Sequence, residues 1–440
     1  MSNRADSRDL VAIVCGDRVR VERDAAGRFR LPSLPDTDGW ANPADLVTLA
    51  ADPSAVIAAP ATRLLAEPKT TLHLLVIDRA GPHDNWLPLR DLSELAEPDG
   101  VATAILSGLD RHRRADLPDG RPEWFAEGWR ASADAWTDDQ LSNLELRRAG
   151  PSVMIKLWGL SAVLRIPVAG RDNLRRDVYF KATCPLFHAE PAITELLANV
   201  IPDHLPDLLA VDRGRAFMLM GALPGADPDA GRRPDAAPAA SRVMARIQMI
   251  MIGHLAELRA AGAPDRTLDP TLEGLAMIIS DSLELDQLTA EERDLIRRAE
   301  PWLAEQLQGL AACGLPYTIS HGDLHVGNIA EGGDRLVIYD WTDAAISFPT
   351  LDAVLLARSA TDAHRDETMA GYVEEWRRGF DSLEYEAIWQ TSLIATKVYQ
   401  AISYERIYRA QEPRTRWELG GVVAQLLRDL GSRWSDQSGR

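Results

Sequence analysis

HGDLHVGNIAEGGDRLVIYDW, residues 321–341, is the stretch whose reading decides the fold. NIA and LVIYD have the character of strands and EGGDR that of a turn, so a short hairpin is expected inside an otherwise helical region. Asn328 and Asp340 are equidistant from position 334, and a symmetric hairpin would set them opposite each other. Cross-strand neighbours have Cβ atoms ~5 Å apart, close enough for an amide oxygen and a carboxylate to share one divalent cation. Oxygen-only ligands suit Mg²⁺, which keeps several waters and bridges phosphates. Asp323 precedes Asn328 by five residues on the intervening loop, where a carboxylate can accept a proton from a substrate hydroxyl. His321 and His325 are spaced i, i+4, but Gly322 stands where a zinc-binding HEXXH helix needs Glu. His321 is therefore expected to brace the loop. Asp343 and Asp352 are expected to bond loop backbone.

Working outward, the helical surroundings are SRVMARIQMIMIGHLAELRAAG, with Val243, Ile247, Ile250, Leu255 and Leu258 near one face, and an aromatic-rich helical tail from Tyr372 to Leu430. Upstream lie the strands MIKLWG, SAVLRIPV and DVYFKAT, a helix from about His188 to Val200, and the strands LLAVDR and AFMLMG. Trp124, Trp129, Trp136 and Leu141 recur at helical intervals and are read as core. Residues 115–123 and 224–240 carry the Pro and Gly of linkers or loops.

The form H-G-D-x-H-x-x-N-I followed by D-W-x-x-A resembles the aminoglycoside phosphotransferase and choline kinase-like family, across roughly residues 150–430. The resemblance implies a bilobal protein-kinase-like fold, a mixture of α/β and α+β, with a small β-rich N-lobe and a mostly helical C-lobe. It implies Asp323 as the catalytic residue, Asn328 and Asp340 as metal ligands, Mg²⁺ as cofactor and ATP (or GTP) as co-substrate. YFK matches the family's strand lysine at Lys181, one of only four lysines in the chain. Glu190 fits the helix glutamate that pairs with it, with Glu195 the alternative on another helix face. Gly159 and Ser161 occupy the place of the phosphate-covering loop, and Met220 to Ala222 that of the purine hinge. Val326 replaces a frequent Pro, and Ser347-Phe348-Pro349 replaces a frequent G-D-P, departures that touch loop packing.

The chain has 440 residues, 46% hydrophobic and 26% charged, which excludes disordered, collagen-like and disulfide-stapled classes. Three domains are expected: an accessory mixed α/β domain over 1–122, the N-lobe over 123–224 and the C-lobe over 225–440. The first faintly resembles a Nudix-type fold. It lacks that family's Arg-Glu-x-x-Glu-Glu cluster, so hydrolase activity is not expected there. AIVCGDRVRVERD and GRFRLP are read as a hairpin with a DAAG turn, TLHLLVIDR as a strand and VATAILSGLDRHRR as a helix.

A net charge of -18 disfavours nucleic acid and anionic membrane as partners. No apolar run approaches the ~20 residues of a membrane span, the first thirty residues lack a signal-peptide core, and three scattered cysteines fit a reducing cytoplasm. The expected partners are a nucleoside triphosphate and a small-molecule acceptor. Tail residues including Glu374, Glu375, Glu384, Glu405, Trp376 and Tyr404 suggest an amino-bearing, hydroxylated acceptor. A nucleotide-binding pseudokinase acting as scaffold or sensor is the alternative.

Overall fold

The computed structural model describes residues 8–34, 41–52, 55–64, 69–81, 85–114, 117–225 and 234–438. Residues 226–233 of the loop expected at 224–240, and residues 115–116 of the one expected at 115–123, lie outside the described residues, while residues 237–240 are already helical. The chain divides into two compact units, one of residues 1–185 with 411–418, the other of residues 186–410 with 419–440.

In the first unit, strand Arg8–Cys15 pairs in parallel with Thr70–Val76 and antiparallel with Arg18–Arg23. The DAAG turn forms: the Asp24 carboxylate accepts from the backbone N–H of Ala26 (2.9 Å) and Arg28 (3.0 Å). A second reversal, missed in the sequence, splits AIVCGDRVRVERD into two strands. It occurs at Gly16, whose φ of 59° suits a glycine. The alternation along Arg8–Cys15 sends Leu10, Ala12 and Val14 to helix Val101–Arg114, and Val11 and Ile13 to helix Pro43–Ala50. The sheet is thus covered on both faces, which is why TLHLLV reads as a nearly unbroken apolar run.

The tryptophans are core, as their spacing suggests. Trp129 and Trp136, on helix Trp129–Asn143, meet the Phe180 ring edge to face at 6.1 and 5.8 Å. Phe180 lies on strand Arg175–Thr183, which pairs with Ser161–Ala169.

Residues 411–418 complete this unit. Arg121 donates to both carboxylate oxygens of Glu412 at 2.7 and 2.8 Å, with both side chains buried. The Arg63 guanidinium stacks 4.1 Å from the centre of the Trp417 ring. Burial lifts the Glu418 carboxyl to about 7. Between its ordinary value near 4.5 and about 7, the folded chain keeps a proton that the unfolded chain has lost, so stability falls as pH rises through that window. Glu418→Gln should remove the decline, which is at most roughly 3 kcal/mol. Melting temperatures of the whole chain at pH 5 and pH 8 test this, and an equally steep decline in the variant would refute it.

The second unit is mainly helical, with strands Leu208–Asp212 and Phe217–Gly221 paired near its start. Helix Ala290–Ala312 opens with a complete capping box between Thr289 and Glu292. Helix Ala237–Met251 buries the i, i+4 ridge Val243, Ile247 and Met251. Ile250, assigned to that face from sequence, is 47% exposed instead, because it falls on the far side of the ridge from Met251.

Most of the tail residues proposed for an ammonium group are already engaged. Glu375 meets Arg246 (2.7 Å) and Arg378 (2.8 Å), Glu405 meets Arg409 (2.7 Å), and Glu374 is bonded by Arg242. Trp376, Tyr385 and Trp389 are buried against Val354 and Ala357. The aromatic content of the tail serves packing.

Candidate active site

Strand Thr318–Ser320 pairs with Ala345–Ser347 and delivers the chain into His321-Gly322-Asp323. Gly322 has φ 82°, and a Cβ there would lie 2.3 Å from the Asp343 carbonyl oxygen and 2.7 Å from the Tyr399 hydroxyl. Only glycine fits.

Beneath this turn the fully buried Asp352 carboxylate accepts four hydrogen bonds. The donors are Ser320 Oγ (3.0 Å), the backbone N–H of His321 (2.9 Å) and Gly322 (3.0 Å), and Gln248 Nε2 (2.9 Å). Burial raises Asp352 to about 6 against the opposing pull of those donors. Asp352 therefore bonds loop backbone, as its position suggested. Asp343 is instead held by side chains: Ser403 Oγ donates to its carboxylate at 2.8 Å, and Arg266 lies 3.9 Å away.

His321 braces the loop through both ring nitrogens. Nε2 lies 3.0 Å from the carbonyl of Tyr339, to which it must donate, and this leaves Nδ1 to accept from the Asp323 N–H at 3.3 Å. His325 Nδ1 accepts from the Gly327 N–H at 2.9 Å. With these nitrogens committed to backbone, the pair does not form a zinc site. Asn328 Nδ2 donates to the Asp323 carbonyl at 2.9 Å, which directs the amide oxygen to other work.

The hairpin Ile329–Gly332 with Arg335–Ile338 is present, but its register differs from the symmetric expectation. Its turn is the two-residue Gly333-Asp334, with Gly333 at φ 60°, so the centre falls between positions 333 and 334. Asn328 consequently faces Tyr339, whose N–H donates to the Asn328 carbonyl at 3.1 Å. Asp340 follows one residue later in the left-handed conformation, φ 66° and ψ 57°. Such a backbone in a residue other than glycine costs about 1–3 kcal/mol and is concentrated at functional sites. The Thr342 hydroxyl donates to Asp340 Oδ1.

The other expected site residues fall as follows. Gly159 sits in the turn between strands Val153–Leu157 and Ser161–Ala169, where a Cβ would come within 2.9 Å of Gln411 Nε2. The Ser161 hydroxyl accepts from the Trp158 indole N–H at 2.9 Å. Lys181 is buried on strand Arg175–Thr183, opposite Val163. Glu190 is buried at the first position of helix Glu190–Val200. Glu195, its alternative, is held at the surface by Arg213 at 2.6 Å. Met220 is the penultimate residue of strand Phe217–Gly221, and Ala222 lies just beyond its end. The Gly221 N–H between them is taken by the Asp207 carbonyl at 2.8 Å.

A model of the phosphotransferase enzyme family matches residues 156–385, more than half of the chain. The chain belongs to that family. This phosphotransferase has the expected mixed α/β composition, a β-rich amino-terminal part followed by a helical carboxy-terminal part. Among solved structures it is similar to a macrolide 2′-phosphotransferase from Brachybacterium faecium (16% identity, TM-score 0.46, covering 66% of this chain and 97% of that one). It is similar to an aminoglycoside phosphotransferase, APH(2″)-IIIa, in complex with GDP and kanamycin (16% identity, TM-score 0.46, 68% and 99% covered). It is also similar to a choline/ethanolamine kinase family protein from Mesorhizobium loti (17% identity, TM-score 0.40, 66% and 88% covered). Comparison with curated protein sequences finds no match. Among the described residues of the phosphotransferase, no helix is long and apolar enough to cross a membrane.

Four residues of the carboxy-terminal unit went unread in the sequence: Gln248, Arg266, Ser403 and Arg406. Gln248 is a fully buried amide on an apolar helix ridge, and its place between Ile247 and Met251 was the available signal. The other three carry no local pattern.

Proposed function

We propose that this phosphotransferase is a small-molecule kinase that moves the γ-phosphoryl group of ATP (or GTP) to a hydroxyl. The observation that carries the reading is the loop itself, in which Asp323 is fixed by His321 and Asn328 while Asp340 emerges beside them in a left-handed turn. The acceptor oxygen forms a bond to the γ-phosphorus, and the bond from that phosphorus to the β,γ-bridging oxygen breaks. The nucleoside diphosphate leaves with the electron pair, and the hydroxyl proton passes to Asp323. Asn328 and Asp340 offer an amide oxygen and a carboxylate, a donor set that fits Mg²⁺. That ion, when bound, neutralises phosphate charge. Lys181 supplies a compact ammonium for the phosphates, with Glu190 as its partner in the family pattern. The backbone of Gly159 and Ser161 and the stretch Met220 to Ala222 serve the nucleotide. Residues 1–122 form an accessory domain, and the protein works in a reducing cytoplasm.

Purified full-length protein should gain thermal stability from ATP or GTP only when millimolar Mg²⁺ is present. A ligand bound at 100 times its Kd stabilises by roughly 2.7 kcal/mol, a readily measured shift. No shift with either nucleotide would remove both the kinase and the pseudokinase. A Mg²⁺-dependent shift without phosphoryl transfer to any hydroxylated compound would favour the pseudokinase.

A further inference from the structure

His325 stands two residues beyond Asp323, and its two ring nitrogens face different partners. Nδ1 accepts from the Gly327 N–H at 2.9 Å and so caps the single turn Val326–Asn328. A ring nitrogen that accepts carries no proton, so the neutral imidazole holds its proton on Nε2. Nε2 lies 3.7 Å from Asp323 Oδ2. The loop backbone thus sets the tautomer, and the tautomer turns an N–H toward the carboxylate. The opposite tautomer would set a lone pair against the carboxylate and a proton against the Gly327 N–H.

The chain around the ring is anchored from several sides. The His325 carbonyl accepts from the Asn328 N–H at 2.8 Å, the Val326 N–H donates to Ser359 Oγ at 3.1 Å, and the Tyr339 hydroxyl donates to the Gly327 carbonyl at 2.6 Å. The Asp323 side chain is 57% exposed, against 34% for the ring. The backbone bonds to His321 and from Asn328 place residue 323 but do not set its χ1 and χ2 rotations. The imidazole is the rigid partner and the carboxylate the adjustable one. At 3.7 Å the two are beyond hydrogen-bond length, and catalytic contacts of this kind tighten when substrate is bound.

Resting on the kinase reading of Asp323, we infer that His325 is a positioning residue for the transfer: its Nε2–H closes on Asp323 Oδ2 and holds Oδ1 toward the acceptor. The acceptor's proton passes to Oδ1 as its oxygen bonds to the γ-phosphorus, the nucleoside diphosphate leaves with the electron pair, and His325 keeps its own proton throughout. An N–H on Oδ2 restricts the carboxylate to one orientation, so the entropy of aligning it is lost before the reaction begins.

Two substitutions separate the roles of the ring nitrogens. Asparagine sets an amide oxygen near the position of Nδ1 and keeps the Gly327 bond; glutamine sets an amide N–H near the position of Nε2 and keeps the donor to Asp323. The full chain is assayed with Mg²⁺ and ATP or GTP for release of nucleoside diphosphate, with water as the acceptor. His325→Asn should lower kcat roughly 10- to 100-fold, the value of a hydrogen bond to a charged group, with KM for the nucleotide unchanged. His325→Gln should recover most of the rate. A ring that only caps the turn predicts the reverse order. Thermal stabilisation by AMP-PNP or GMP-PNP reports that each variant is folded and, in the wild type, reads the kinase proposal by itself. If hydrolysis is too slow to rank the variants, ¹⁵N-histidine NMR of the full chain with Mg²⁺ and the same analogue carries the measurement. His325 should then hold its proton on Nε2, and Asp323→Asn should move the Nε2 resonance. A Gln variant slower than the Asn variant, a proton on Nδ1, or an Nε2 resonance unmoved by Asp323→Asn would overturn the inference and leave the kinase proposal standing. No nucleotide shift in the wild type would instead remove the kinase proposal.

Discussion

Asp323→Asn is expected to lower phosphoryl transfer by roughly 10²- to 10⁴-fold, the range over which a positioned general base contributes. The substitution leaves the loop intact. Two bonds that hold residue 323 run through its backbone, the N–H to His321 and the carbonyl from Asn328, and neither depends on the carboxylate, which lies 3.7 Å from His325 Nε2. What is lost is an oxygen able to take the acceptor's proton. Nucleotide affinity, measured by Mg²⁺-dependent thermal shift, should therefore stay close to wild type. Asp340→Asn should behave in the opposite way and weaken Mg-nucleotide binding itself, since a neutral amide is a poorer ligand for a hard cation. Equal loss of nucleotide binding in the two variants would show that the roles are wrongly divided.

Asp352→Ala should be the most damaging change to stability in the second unit. The carboxylate accepts from the His321 and Gly322 N–H groups, and it also takes donors from Ser320 and Gln248. Its removal strands two buried backbone donors, each costing about 1–3 kcal/mol, so a loss on the order of 3–5 kcal/mol is expected, as when a buried charged partner is removed. Asp352→Asn keeps one acceptor oxygen and should lose less. Urea denaturation of the two variants checks the order. A midpoint for the Ala variant within error of wild type would mean that the carboxylate does not hold the loop.

The parts legible in the sequence were those fixed by local chemistry. His321, Asp323, Asn328 and Asp340 fall within one short island, and their residue types announce the loop before any tertiary contact is known. The tryptophan spacing likewise identified Trp129 and Trp136 as core. Where the reading slipped, a single residue set the phase. Gly333 at φ 60° moved the hairpin centre by half a position and put Tyr339 opposite Asn328. Gly16 made two strands from one. Ile250 was misplaced because the ridge runs through Met251. The glutamates of the tail carry no mark of the arginines that engage them, since Glu375 and Arg246 are distant in sequence and meet only in the fold. Arg266 and Arg406 were invisible for the same reason.

The ion pair between Arg121 and Glu412 spans 291 positions. A ribosome adding about 5–20 residues per second needs roughly 15 to 60 s to travel that far. For that interval the nascent first unit holds a guanidinium, placed for burial, with no carboxylate to receive it, and Arg63 has no Trp417 ring beneath it. The amino-terminal unit is the first to be synthesised and among the last to be finished. Its maturation is timed by the arrival of residues 411–418, and a chain released just before them would carry an amino-terminal unit exposed to chaperones and proteases despite having every one of its own first 185 residues.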